Sequence, residues 1–189
     1  PQSTPGSYQV QLKVGNSIQT ESFQIFGDPR LKTTQEDYQA QFDLQRKVRD
    51  KLSETNKTID RIRRIQRQSM EASKRAGDSE TISDREAISK ASRELNKKLE
   101  EIESELVQID REGPSDFVRA EVKLVDMLAG LIAGIAMGDV GPTRAMNELF
   151  EDLSGKVDEQ LSKLQVVIDR DVAEFNDRVS DAELTAILL

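Results

Sequence analysis

Four arginines, Arg61, Arg63, Arg64 and Arg67, form the densest set of side chains able to hold an anion, a phosphate group or an acidic partner. Their spacing spreads them around a helix instead of bringing them to one point, so a solvated or internally paired face is expected ahead of a binding patch. Glu100, Glu101, Glu103 and Glu105 suggest a metal site or an acid/base pair. Residues 101 and 105 share a helix face, but no inward-facing partner set accompanies them, and the run reads as a wet helix face. Asp126 lies in an apolar stretch; if buried it needs a hydrogen-bonding or cationic partner, and a structural polar contact is expected ahead of a functional carboxylate. Gly130, Gly134 and Gly138 recur at every fourth position and suggest a close helix crossing. The chain has no His and no Cys. That excludes imidazole bases, thiol nucleophiles, disulfides and thiolate-held zinc. No nucleophile has a base and no phosphate-cradling loop is present, so neither catalysis nor a cofactor or metal is expected.

The elements that carry these residues are mostly helical. From Thr34 to about Arg75 no Pro or Gly interrupts the chain, and Tyr38, Phe42, Val48, Leu52, Ile59 and Ile62 recur in threes and fours. That period marks one buried stripe on a helix of roughly 40 residues, about 60 Å long, which needs partner helices to cover it. Thr33 with Glu36 is a capping box at its start, and Ala76-Gly77-Asp78-Ser79 ends it. Ser83 with Glu86 opens a second helix whose stripe is Ile88, Leu95, Leu99, Ile102, Leu106 and Ile109, stopped by Gly113-Pro114. A third helix, from about Ser115 to Met137, is apolar over much of its circumference, and its C-terminal half is expected to be the most buried element. Gly138 to Gly141 breaks the chain, and Pro142 suits the first turn of a long fourth helix through Phe175. Ser180 with Glu183 forms a third capping box before a short apolar end, Leu184 to Leu189.

Before the helices, Tyr8, Val10, Leu12 and Val14 alternate with polar residues, Gly15-Asn16-Ser17 supplies a turn, and Ile18 to Phe26 returns. The break in alternation at Phe26 predicts a bulge or burial on two sides. The expected fold is therefore mainly α: an antiparallel up-down four-helix bundle with two long helices, preceded by a β-hairpin. The hairpin (1–27) reads as the stub of a sandwich-like module, 28–33 as a linker, and 34–189 as the bundle with a short apolar C-terminal helix.

Composition agrees. The 189 residues are 36% apolar, 33% charged and 4% aromatic, which suits amphipathic helices with narrow buried faces. Between Leu44 and Arg75 eleven Lys or Arg face four Asp or Glu, a local +7 in a chain of net charge −8, leaving −15 for the rest. An acidic chain argues against nucleic acid as the main partner, and the basic stretch is expected beside acidic helices of its own bundle. The longest apolar run, Met127 to Met137, is eleven residues, too short for a transmembrane span. Starting at Pro1 with no signal-like segment, the sequence reads as a piece of something longer.

Gly6-Ser7-Tyr8-Gln9-Val10-Gln11-Leu12-Lys13-Val14 and Phe26-Gly27-Asp28-Pro29-Arg30 resemble the C-terminal region of bacterial BNR-repeat, sortilin-like β-propeller proteins, often labelled glycosyl hydrolases. In that family a strand pair closes a small β module and an Asp-Pro-Arg step leads into helices. Gln39 to Leu44, Arg49-Asp50, Thr55-Asn56, Gly141-Pro142-Thr143 and Phe175-Asn176 are similar to the helices that follow. The resemblance implies a secreted, periplasmic or cell-envelope protein of a bacterium, with Asp28, Pro29 and Arg30 as a structural joint. The propeller repeats carry a Ser-x-Asp-x-Gly-x-x-Trp loop, and this chain has no Trp, so any glycosidase-like activity is expected upstream. The implied role is a non-catalytic module that stabilises, orients or pairs the upstream propeller, with a second copy as a further partner. The alternatives are an accessory fragment of a hydrolase and a coiled-coil scaffold with a basic docking face.

Overall fold

The computed structural model describes residues 1–79, 83–109 and 121–188. The expected helix stop at Gly113-Pro114 and the expected start of the third helix at Ser115 lie outside them. The chain is mainly helical with an N-terminal two-stranded antiparallel hairpin. Strands β1 (Gly6–Val14) and β2 (Ser17–Ile25) pair in unbroken register from Gly6 opposite Ile25 to Val14 opposite Ser17. The bulge expected near Phe26 is absent: the register has no extra residue, and Phe26 falls beyond the strand and is exposed. The loop is Gly15-Asn16, with a positive φ of 59° at Gly15 alone. That is the II′ arrangement, whose twist matches the flanking strands and which needs Gly at its first position.

The helices are α1 (Gln35–Asp78), α2 (Arg85–Leu106), α3 (Leu124–Ile135), α4 (Arg144–Val167) and α5 (Ala173–Asp181), with a π-helical turn, Ile168–Val172, joining α4 to α5. None of the described helices is long and apolar enough to cross a membrane.

The chain forms two compact units, one of residues 1–51 with 128–151, the other of 52–127 with 152–189. In the first, the start of α1 is fixed by a capping box one residue later than expected. The Thr34 hydroxyl accepts from the Asp37 N–H (3.1 Å), and the Asp37 carboxylate accepts from the Thr34 N–H (2.9 Å). Thr33 instead donates its hydroxyl to the Asp139 carbonyl. The buried Gln41 amide donates to the carbonyls of Ile135 (2.7 Å) and Gly138 (2.6 Å), satisfying acceptors that the end of α3 leaves open. Leu44, Val48, Leu128, Leu131, Ile135 and Phe150 are the core here. Gly27 lies against the Tyr38 ring: a Cβ there would fall 2.7 Å from the Tyr38 hydroxyl and would push the ring aside.

In the second unit α1 and α2 run antiparallel, as two sets of contacts in opposite chain order show. Asn96 donates to the Ser69 hydroxyl (2.8 Å), with Ser92 alongside, and Arg63 donates to Glu103 (2.6 Å). The core includes Ile62, Ile65, Ile88, Leu99, Leu153 and Phe175. Within this unit the buried heptad positions of α1 alternate in character, Thr55, Ile62, Ser69 and Ala76, as Gln41 and Val48 do in the first unit. Tyr38, Phe42 and Leu52, expected on the stripe, are only half-buried.

Several expected boundaries move for local reasons. The residue preceding α2 is Asp84, which makes no side-chain cap, so the Ser83–Glu86 box does not form, and α2 stops at Leu106 with Ile109 partly exposed. Pro142 precedes α4 instead of starting it; Thr143 is the cap, its hydroxyl accepting from Met146 N–H (3.2 Å). α3 is not buried all round. Leu124, Leu128, Leu131 and Ile135 line one stripe, while Met127, Ala129, Gly130 and Ala133 are exposed.

The C-terminal expectation is reversed. Ser180 and Glu183 close α5 and do not open a new helix. Glu183 N–H reaches the Ser180 carbonyl (3.0 Å) and Leu184 N–H the Val179 carbonyl (2.9 Å), with φ 57° at Glu183. This is a Schellman ending with Glu where Gly is usual. The chain from Leu184 to Leu188 is not helical.

Candidate interaction surfaces

The hairpin presents its side chains by strand alternation. Tyr8, Val10, Leu12 and Val14 share one face with Phe23 and Ile25 and, opposite the three aliphatic residues, Glu21, Gln19 and Ser17; Ser7, Gln9, Gln11 and Lys13 share the other with Gln24, Ser22, Thr20 and Ile18. Tyr8 and Phe23 stack with ring centroids 5.8 Å apart, and the Tyr8 hydroxyl donates to the Thr4 carbonyl (2.6 Å). Beyond that anchor the apolar face is open to solvent: Leu12 is 62% and Val14 66% exposed, and Val10 and Phe23 are also exposed. The described residues contain this one two-stranded sheet. A hairpin of this size is marginal alone, and its aliphatic side chains lie uncovered among the described residues.

The joint after it is local. The Arg30 backbone N–H and guanidinium both donate to Asp28 (2.9 Å each to Oδ1, 2.6 Å from Nη2 to Oδ2), and Leu31 N–H closes a turn onto the Asp28 carbonyl (3.1 Å) with Pro29 at its second position. The Arg30 side chain holds Asp28 below the ordinary carboxylate value, helped by the Arg30 backbone N–H.

The four arginines do not converge. Arg63 is committed to Glu103, whose side chain is only 6% exposed, while Arg64 and Arg67 are exposed and Arg61 is half-buried. The glutamate run divides likewise: Glu103 turns inward to that ion pair, and Glu100, Glu101 and Glu105 face solvent. Among the described residues no acidic group clusters tightly enough to hold a metal ion. Asp126 is not deep in an apolar helix. It sits half-buried in the first turn of α3, where the exposed N–H groups of a helix start favour a carboxylate.

The glycine spacing does not mark a helix crossing. A Cβ added at Gly130 or Gly134 would meet nothing within 4 Å, and the same holds at Gly155. These glycines therefore cost helix stability with no packing return. Gly130→Ala, Gly134→Ala and Gly155→Ala are each expected to stabilise the fold by about 0.5–1 kcal/mol. Urea midpoints should rise for each, and a fall at residues 130 and 134 would restore the crossing.

A groove of about 280 Å³ between α2 and the π turn with α5 is the site that residue spacing alone missed. Lys90, Glu94 and Lys98 line it from one side, Asp171, Glu174 and Arg178 from the other. Asp171 accepts from Lys98 (2.8 Å) and Arg170 (3.1 Å), and Arg178 pairs with Glu174 (2.8 Å). Burial, the largest influence on Asp171, pushes it up; the hydrogen bonds from Arg170 and Lys98 together outweigh this and hold it low. The groove is internally neutralised, with each carboxylate lying near a cation. A signal for it exists in the sequence: Gln160, Leu164, Ile168 and Val172 are three successive steps of four. At about 100° per residue such a run drifts about 120° off a straight stripe, and the wider π turn absorbs the drift.

Depressed carboxylates set the pH response. Asp28, Asp37 (held low first by the Thr34 N–H, then by its hydroxyl) and Asp171 all have lowered values. A group whose value is lower folded than unfolded adds stability above its unfolded value and loses it as pH falls through the folded one. With no His in the chain, urea midpoints should be level from about pH 5.5 to 8.5 and fall below about pH 4. A transition near pH 6.5 would contradict this.

Comparison with protein-family models, with curated proteins and with solved structures finds no match to this chain.

Proposed function

We propose that this chain is a non-catalytic structural and interaction module at the C-terminal end of a larger β-propeller protein, its helices ordered as an up-down bundle and its hairpin docking onto the preceding β module. The observation that supports this reading is the open apolar face of the hairpin, Val10, Leu12, Val14 and Phe23, beside unpaired strand edges. Such a face stabilises a neighbour by burial and by strand addition, and does no chemistry. The test compares hydrogen exchange of residues 6–25 in the isolated chain and joined to its natural upstream sequence. Protection of these amides should rise strongly in the joined protein and be lost in Val10→Glu/Leu12→Glu. Equal protection in both proteins would defeat the reading. Loss of a parent's turnover on deletion of this segment, with its fold intact, would favour the accessory-fragment alternative.

A second reading rests on the exposed Arg64 and Arg67 beside Arg61, a basic face able to dock an acidic partner. Arg61→Glu, Arg64→Glu and Arg67→Glu together should abolish such docking, leaving Arg63 in place because it is committed to Glu103.

A further inference from the structure

Two carboxamide side chains hold the segment after α5 by its backbone alone. Asn176 accepts from the Ile187 N–H (2.7 Å) and donates to the Ile187 carbonyl (3.2 Å). Gln68, on α1, accepts from the Leu188 N–H (2.7 Å) and donates to the Leu188 carbonyl (3.1 Å). Each amide thus imitates a neighbouring β-strand, using both its donor and its acceptor on one residue. Between them Ile187 is 4% exposed while Leu188 is 71% exposed, and Leu184 and Ala186 are half-buried, so Ile187 is the one fully enclosed side chain of the described segment and the four amide bonds are all main-chain. This is the chemistry of a site for an extended peptide with one buried aliphatic residue.

The segment enters that site through a strained residue. Glu183 adopts φ 57°, the left-handed region that a β-carbon disfavours, and no other described non-glycine residue has a positive φ. The segment is closed onto its own chain with Glu183 in this conformation. Seating the same segment on another copy keeps all four amide hydrogen bonds and the Ile187 burial, and it lets Glu183 relax at the loss of the two backbone hydrogen bonds that close α5. Exchange of an identical element costs little beyond association, and a strained hinge is what favours it.

We infer that the Gln68–Asn176 groove is a peptide-binding site whose partner in trans is the 184–188 segment of a second copy, giving a reciprocal dimer hinged at Glu183. The dimer forms with rising protein concentration, and the hinge sets its strength. Glu183→Gly removes the β-carbon penalty of the closed form and should weaken dimerisation about fivefold per hinge. Glu183→Pro, with φ locked negative, cannot close and should strengthen it.

The experiment is light scattering on the full chain, the two hinge variants, and two complementary variants. Ile187→Asp spoils the segment and keeps the groove; Gln68→Ala/Asn176→Ala spoils the groove and keeps the segment. Neither should dimerise alone, and mixing them should give a heterodimer through the one intact pairing, with circular dichroism confirming unchanged helix content. Three results would overturn the proposal: a monomer at every concentration, a dimer surviving in both complementary variants, or hinge variants that shift the equilibrium in the same direction. The second of these would point to the hairpin as the contact and leave the function proposed above standing.

Discussion

Phe175→Ala is expected to lower stability by about 3–5 kcal/mol, the cost typical of emptying a buried phenylalanine site. Phe175 is 2% exposed and is the largest of the fully buried side chains. It stands at the start of α5, directly after the π turn, and meets α2 across the groove that also takes in Ala91 and Leu95. The walls on either side are helices and are poorly able to collapse into the space, so transfer and cavity costs add. Phe175→Leu should recover most of the loss, because volume-conserving apolar changes cost under about 1.5 kcal/mol. Leu149→Ala, on an exposed position of α4, should stay within about 0.5 kcal/mol. Urea titrations measure all three, and a Phe175→Ala shift as small as that of Leu149→Ala would show that the site relaxes.

Arg63→Glu should be nearly as damaging, at about 2–3 kcal/mol. Glu103 is buried on α2 and receives the Arg63 guanidinium at 2.6 Å, while the arginine side chain itself is 48% exposed. Removing the arginine leaves an uncompensated buried carboxylate, and replacing it with glutamate adds repulsion. The cost stays below the 3–5 kcal/mol typical of fully buried pairs, since water screens the exposed half. The pair's own worth is a different quantity. Arg63→Ala/Glu103→Leu, which removes both charges and fills the site, should be close to neutral. A double-mutant cycle by urea unfolding decides this. If the doubly substituted protein is as unstable as Arg63→Ala alone, packing of the arginine stem, and not the stranded charge, holds the helices together.

Phe175 shows where reading residue by residue succeeds. The 3.6-residue period places most of the apolar core, because burial of an apolar stripe is what makes a helix worth forming in this chain. Val48, Ile59, Ile62, Leu95, Leu99 and Phe175 are all buried as the spacing predicts. The hairpin was legible for the same reason with a period of two, and its turn chemistry was correct to the residue at Gly15.

What escaped was set by hydrogen bonding. Gln41, Thr55, Ser69 and Ser92 are buried polar residues that a count of apolar positions passes over. Thr33–Glu36, Ser83–Glu86 and Ser180–Glu183 all have capping-box spacing, yet the box that forms is Thr34 with Asp37. Spacing admits several candidates within a turn, and only the backbone decides which hydroxyl faces the free N–H groups. The glycines of α3 misled for the converse reason: a small residue permits a close crossing and does not bring one about. Charge groups Arg63 with its neighbours, whereas its partner lies on another helix, 40 residues away in sequence.

The alternation along α1 has a consequence for pairing fidelity. Three of its buried polar residues, Gln41, Thr55 and Ser69, are separated by two heptads, with Val48 and Ile62 between them, and Gln45 lies one turn beyond Gln41. A helix marked this way is graduated at about 21 Å, twice the heptad repeat. A slip of one heptad would set the amide of Asn96 and the hydroxyl of Ser92 against Ile62 or Ala76, losing their hydrogen bonds to Ser69 and leaving only those Asn96 makes to Ser92 on its own helix. The polar marks therefore act as a vernier, making the nearest wrong alignment a costly one and leaving α1 a single address at which α2 can settle.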